Sequence, residues 1–109
     1  MSHVVNDKIS LELAKTVAVQ LPQRPEWIEM ARANLNRWME LNKDAPGLIR
    51  LYQEWLSLLN LPVDQIVGIL LGTSDESQRL RSTSPFTGAL TPQQVWEIKR
   101  RIRHDETAA

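Results

Sequence analysis

The apolar residues of this chain recur at spacings of three and four positions, which is the period of one face of an α-helix. The clearest stripe places an apolar residue at every fourth position: Ile9, Leu13, Val17 and Leu21. No segment alternates apolar and polar residues over the length of a strand. The pattern therefore predicts an all-α protein.

Prolines separate the periodic stretches, because a proline ring cannot continue the interior of a helix. Between these breaks the pattern predicts helices at residues 8–21, 25–41, 45–60, 62–71, 74–81 and 92–103. A chain of 109 residues buries enough surface for a single core. We therefore expect one compact bundle of five to six helices over residues 1–109, with frayed tails at residues 1–6 and 105–109.

The last two predicted helices carry capping signals. Thr73 and Glu76 have the spacing of a capping box, in which each side chain bonds the other residue's backbone N–H. The same spacing recurs at Thr91 and Gln94. Gly72 stands at the end of the fourth helix, where a left-handed residue commonly terminates a helix.

Composition excludes several classes of chemistry. The chain has no cysteine, which excludes disulfides, thiolate catalysis and cysteine-ligated zinc. Its two histidines, His3 and His104, lie in or near the tails, so we expect no multi-histidine metal site and no cofactor. The apolar runs are too short for a membrane span, and the first residues carry no secretion signal, so we expect a cytoplasmic protein.

Enzymatic motifs are also missing from the sequence. The chain contains no phosphate-binding glycine loop, no dinucleotide-binding fingerprint, no zinc-protease motif and no nucleophile elbow. No carboxylate has an apolar sequence environment that would raise its pKa for acid–base work. We therefore expect a protein that is not an enzyme.

Four tryptophans are a large number for this length. Trp38 and Trp55 fit the inward stripes of the second and third helices. Trp27 and Trp96 lie beside their stripes and near helix starts, so they are candidates for binding a partner. The alternative for the whole set is packing in the core and at its boundary.

Residues 82–90 form the only long irregular segment, and long loops in small domains are often functional. This segment holds Phe86, the only phenylalanine of the chain. Phe86 is a third candidate for partner binding, as an anchor inserted into another protein. The alternative is a plug that closes one end of the bundle.

Residues 62–80 partly match a DNA-binding helix-turn-helix. Gly68 and Gly72 have the spacing at which one glycine admits the second helix and the next opens the turn. The match fails at Gln78 and Arg81, where that unit carries apolar residues. Two carboxylates also open the second helix, at the end that would face DNA. A plain helical corner is the alternative.

A second feature bears on phosphate or acidic partners. Six cations are expected to form a local basic patch: Arg79, Arg81, Lys99, Arg100, Arg101 and Arg103. The alternative is a solvated helix end whose cations are favoured by the helix dipole. Thirteen Lys and Arg balance thirteen Asp and Glu, so any such patch is local rather than global.

These observations lead to two hypotheses about function. The first is a small non-enzymatic interaction or regulatory module that uses its helix faces to bind a protein partner or a second copy of itself as a homodimer. Its basis is the surplus of tryptophan and the broad apolar face of the third helix. The alternative is a helix-turn-helix regulator of the antitoxin type, in which one short chain binds both DNA and a partner.

Overall fold

Six α-helices account for most of residues 2–108, the part of the chain whose backbone the computed structural model describes; side chains are described for residues 5–105. The helices are α1 (Ser2–Gln20), α2 (Glu26–Leu41), α3 (Pro46–Leu58), α4 (Val63–Leu71), α5 (Asp75–Arg81) and α6 (Pro92–Ala108), with a 3-10 turn at Leu21–Gln23. This described backbone contains no strand, and the predicted all-α bundle of five to six helices is confirmed.

Both terminal helices are longer than the sequence predicts. α1 begins at Ser2 and α6 ends at Ala108, so helix continues through most of the two expected tails. Met1 and Ala109 lie outside the described residues. The physical reason is that no glycine or proline marks a stop beside residue 8 or residue 103, so nothing in the local sequence ends either helix there.

The core forms where α1 meets the later helices. α1 packs against α4, α5 and α6, while α2 and α3 pack against each other. Ile9, Val17 and Leu21 of the predicted α1 stripe are buried, and Leu13 packs half-buried against them. The period of the sequence therefore identifies the inner face of this helix.

Trp55 joins α3 to the segment after α5. Its side chain is fully buried, and its indole N–H donates to the backbone oxygen of Leu80 at 2.9 Å. The Trp55 ring also meets Phe86 edge to face, with ring centroids 6.3 Å apart. Such an aromatic pair contributes about 0.5–1.5 kcal/mol beyond the area it buries.

Asn34 ties α2 to the irregular segment 82–90. Its buried side-chain amide donates to the backbone oxygens of Pro85 and Thr87, each at 2.9 Å. Its own oxygen accepts a hydrogen bond from Arg37 at 2.6 Å. The segment is therefore held against the bundle, and Gly88 supplies the left-handed backbone (φ +93°) that lets it turn toward α6.

The N-termini of α5 and α6 are capped in different ways. At α6 the predicted capping box is confirmed, because Gln94 N–H donates to the Thr91 hydroxyl and Thr91 N–H donates to the Gln94 side chain. At α5 the prediction is wrong by one residue. Ser74 is the cap, and its hydroxyl accepts from Ser77 N–H at 3.1 Å.

The corner between α4 and α5 differs from the predicted helix-turn-helix geometry. Gly72 is extended (φ −63°, ψ 150°) rather than left-handed. It is needed for space instead, because a Cβ there would overlap the Ser77 hydroxyl and lie 2.9 Å from the Ser77 Cβ. Gly68 is exposed, and a Cβ there would meet nothing within 4 Å, so the expected close packing at Gly68 is wrong.

The two glycines should respond to alanine in opposite directions. Gly68→Ala should raise the free energy of unfolding by about 0.5–1 kcal/mol, because alanine is the better helix former and has room. Gly72→Ala should lower it by about 1–3 kcal/mol, because the new methyl group overlaps Ser77. Urea unfolding measures both values, and a stable Gly72→Ala protein would contradict the close approach described above.

The contribution of the Asn34 hydrogen bonds to the free energy of unfolding can be measured in the same way. Asn34→Ala should lower the free energy of unfolding by about 1–3 kcal/mol, because it leaves a buried carbonyl without a donor. Asn36→Ala is the matched control on the same helix, since Asn36 is exposed. Equal midpoints for the two variants in urea would show that segment 82–90 does not depend on Asn34.

Candidate interaction surface

The three residues predicted to bind a partner lie in different environments. Trp96 is 59% exposed on α6. Trp27 is half-buried and packs against the core, while Phe86 is buried beside Trp55. Of the three, Trp96 is the one that is largely exposed, whereas Phe86 packs inside the fold.

Trp96 lies outward because of the helical period of α6. Ile98 and Ile102 are the buried residues of this helix, and they define its inner face. Trp96 stands two positions before Ile98, and at 100° per residue it lies well away from that face. Its exposure thus follows from the register that buries the isoleucines.

An open groove runs beside the Trp96 ring. Eight residues line it: Gly88, Ala89, Leu90, Thr91, Pro92, Val95, Trp96 and Lys99. The end of segment 82–90 forms one wall, and the first turns of α6 form the other. We call this feature the Trp96 groove. Its lining is apolar except for one threonine and one lysine.

A cation lies against the exposed tryptophan. The guanidinium carbon of Arg100 is 5.3 Å from the Trp96 ring centroid, which is the geometry of a cation–π contact. Arg100 also reaches Glu97 at 3.5 Å on the same helix. Positive charge is therefore present at two places beside the groove, at Lys99 and at Arg100.

Arg79, by contrast, is engaged away from the groove. It binds Glu54 of α3 at 2.9 Å and also contacts Glu76 of its own helix. The hydrogen bond from Arg79 holds the pKa of Glu76 below its ordinary value, and Glu76 and Glu54 together raise the pKa of Arg79. Two carboxylates thus share this guanidinium, and it adds little positive charge to the surface.

Arg81 is a buried cation, only 7% exposed. Its guanidinium donates to the backbone oxygens of Leu70, at 3.3 Å, and of Gly72. Both carbonyls belong to the end of α4, where helix carbonyls have no intrahelical donor. Burial lowers the pKa of Arg81, while the nearby Asp7 carboxylate acts in the opposite direction.

The six predicted cations therefore do not share one environment. Arg101 reaches Glu12 of α1 at 3.7 Å, whereas Arg79 faces α3 and Arg81 is inside the bundle. Lys99 and Arg100 are the two that lie at the Trp96 groove. Arg103 is exposed on the same helix. On α6, Arg101 therefore pairs with a carboxylate of α1, while Lys99 and Arg100 place their positive charge at the groove.

A DNA-reading surface on α5 would begin with negative charge. Asp75 and Glu76 are both exposed in its first turn, the end that a recognition helix directs to the bases. Gln78 is exposed and Arg81 is buried, so the apolar positions expected of a helix-turn-helix are not formed in that register. DNA binding by this chain stays a prediction.

Sequence reasoning missed a second feature, a cavity of about 310 Å³ between α1, segment 82–90 and the start of α6. The apolar part of its wall comes from Leu13, Ala14, Val17, Phe86, Leu90 and Val95. Arg81 and four hydroxyl residues, Ser10, Ser82, Ser84 and Thr87, supply the polar part. We call it the Arg81 cavity.

Two signals in the sequence point to this region. Asn34 stands in an apolar stripe with Ala31, Leu35 and Trp38, and a polar residue there must find an internal partner. Arg81 follows directly after the buried Leu80. Neither signal reveals that the partners lie in segment 82–90 and at the end of α4, because both contacts depend on tertiary packing.

Within residues 2–108 no helix is long and apolar enough to cross a membrane. The side chains that the structure describes contain no group of three or more acidic, histidine or cysteine residues placed to hold a metal ion. No known protein-family model, curated protein sequence or solved structure matches this chain, so its function has to be inferred from its own geometry.

Proposed function

We propose that this chain is a non-enzymatic interaction module that binds a protein partner at the Trp96 groove. The partner presents an apolar side chain next to carboxylates. One observation carries the proposal: Trp96 is 59% exposed at the edge of an apolar groove that also holds a lysine. Phe86 is not part of the proposed binding surface, because its ring is buried.

The surface around Trp96 is apolar and concave. Single exposed apolar side chains are normal on protein surfaces and need no explanation. Trp96 differs because its neighbours Leu90, Pro92 and Val95 extend the apolar surface into a concave shape. A tryptophan at the edge of such a concavity is the side chain most often found at the energetic centre of protein interfaces.

Two cations beside the groove favour an acidic partner. Lys99 lines the groove, and Arg100 covers the tryptophan ring. The Arg100–Glu97 pair is exposed on both sides, so it contributes little to stability and exchanges readily for another carboxylate. An acidic residue beside the apolar anchor of a partner would therefore bind here without a large electrostatic penalty.

Three further observations favour protein over nucleic acid as the partner. The formal net charge of the chain is zero, whereas nucleic-acid-binding domains carry an excess of positive charge. Arg79 is occupied by two carboxylates, and Arg81 is buried. Trp27, the other tryptophan proposed from the sequence, is half-buried and packs against the core, so it is not part of the proposed surface.

The proposal is tested by selecting short random peptides on the purified full-length chain. We expect enriched peptides to carry a Trp, Phe or Leu next to Asp or Glu. Fluorescence anisotropy with a labelled peptide from the selection then measures affinity. Trp96→Ser should raise the dissociation constant about thirtyfold, because truncating a central interface tryptophan removes about 2 kcal/mol or more.

Matched variants distinguish specific binding at the groove from nonspecific binding to exposed apolar side chains. Val19→Ser removes an apolar side chain that is 78% exposed on α1, and it should leave the affinity unchanged. Lys99→Glu should weaken binding, whereas Lys43→Glu, on the exposed turn after α2, should not. Circular dichroism of each variant checks that the helices are retained.

Several results would overturn the proposal. These are the absence of enriched peptides, equal enrichment of basic peptides, and equal loss of affinity in Val19→Ser and Trp96→Ser. Sedimentation velocity that shows a dimer dissociated by Trp96→Ser would assign the groove to a second copy instead. Binding of a mixed-sequence DNA duplex that weakens steeply with salt, together with no peptide binding, would favour the DNA-binding alternative.

A further inference from the structure

The Arg81 cavity has the composition of a small-molecule site. Its volume of about 310 Å³ is near the lower end of the range for pockets that hold small organic molecules, about 300–1,000 Å³. Its lining combines a majority of apolar surface with a few polar groups, as is typical of such pockets. The cavity is distinct from the Trp96 groove, although Gly88, Leu90 and Val95 contribute to both.

Arg81 is the charged group of this cavity. Its Nη1 is committed to the end of α4, through the oxygens of Leu70 and Gly72. Within residues 5–105 both hydrogen bonds of the Arg81 side chain come from Nη1, and Asp7 interacts with the guanidinium electrostatically. Nε and Nη2 therefore retain donors for a ligand.

The hydroxyl groups complete the polar end. Ser84 Oγ accepts from Phe86 N–H at 3.4 Å, which leaves the hydroxyl proton of Ser84 available to donate. Ser10 of α1 lines the same cavity and is half-buried. A lining that combines an arginine and hydroxyl donors with aliphatic and aromatic side chains matches an anion attached to an apolar body.

We propose that the Arg81 cavity binds a small organic monocarboxylate with an aliphatic chain, and that Arg81 holds the carboxylate while the chain packs against Leu13, Val17 and Leu90. A single guanidinium supplies the positive charge, and the α4 carbonyls already draw on it. Asp7 lies close enough to interact with the same group. These negative neighbours suit a singly charged carboxylate and disfavour a doubly charged phosphate.

The ligand class is tested by titrating the ¹⁵N- and methyl-labelled full chain with decanoate and recording NMR spectra. Saturable shifts are expected for the methyl groups of Leu13, Val17 and Leu90, with none at Leu41, which is exposed at the end of α2. Decanol and decyltrimethylammonium have the same chain length without the negative charge. We expect decanoate to bind at least about tenfold more tightly than either, because charged hydrogen bonds are the stronger ones.

Two variants test the site within the protein. Arg81→Met should reduce decanoate affinity to that of decanol. Because Arg81 also binds the end of α4, that variant can unfold, so Ser10→Leu is the second test. The leucine would occupy the cavity and should weaken decanoate binding at least about tenfold, whereas Ser57→Leu, exposed on α3, should not.

Each outcome of these binding experiments either supports or overturns the proposed carboxylate site. Selective decanoate binding that Ser10→Leu abolishes supports it. Equal affinity for decanoate and decanol would overturn the role of Arg81 in recognition. Absence of saturable shifts with decanoate, or shifts that Ser10→Leu leaves unchanged, would show that the cavity is not a carboxylate site. None of these outcomes depends on peptide binding at the Trp96 groove, so the two proposals fail independently.

Discussion

The two hydrogen bonds from the Asn34 side chain connect the α2–α3 pair to the segment from which both candidate sites are built. Residues 82–90 form turns rather than helix or strand, with few hydrogen bonds of their own, so their position depends largely on partners elsewhere in the fold. Asn34 fixes the backbone at Pro85 and Thr87, while Trp55 packs against the Phe86 ring and binds the end of α5 at Leu80. The next residues along the chain form the shared wall of the Trp96 groove and the Arg81 cavity.

Charge is distributed in a way that a neutral total conceals. Arg79 is neutralised on the surface by two carboxylates, whereas Arg81 is held inside by carbonyl groups. These two neighbours on α5 therefore have unrelated electrostatic roles. Lys99 and Arg100 lie beside an exposed aromatic ring, and Arg100 also pairs with Glu97. Because these cations have different partners and different exposure, the six cations predicted from the sequence do not form one basic surface.

Local patterns in the sequence predict most of the helices and much of the core. The α1 stripe and the α6 capping box follow from spacings of three or four residues, and the exposure of Trp96 follows from its position two residues before Ile98; all three depend only on helix geometry. The correct cap at Ser74 and the extended Gly72 depend on how closely Ser77 approaches, which local spacing does not fix. The cavity is harder still to predict from local patterns, because its wall combines residues of α1, α5, segment 82–90 and α6.

The same limits apply to the candidate sites. Trp96 is predictable as a boundary residue because its position relative to Ile98 is set within one helix. Arg81 is not, since its burial results from the packing of α5 against α4 and α1. Phe86 offers two alternatives in the sequence, and only contact with Trp55 of α3 decides between them. Residues whose role is set by distant partners are thus the ones that local reasoning misassigns.

The contact between Asn34 and segment 82–90 also has a kinetic consequence. Its hydrogen bonds join residues 51 and 53 positions apart, whereas the Trp38–Tyr52 contact joins neighbouring helices. Local contacts of the second kind close small loops and form early, while distant ones must first overcome a larger loss of chain entropy. During synthesis the α2–α3 pair can associate before residue 87 exists. Both candidate sites are therefore completed only in the last stage of folding, when the newest part of the chain docks onto helices that are already in place.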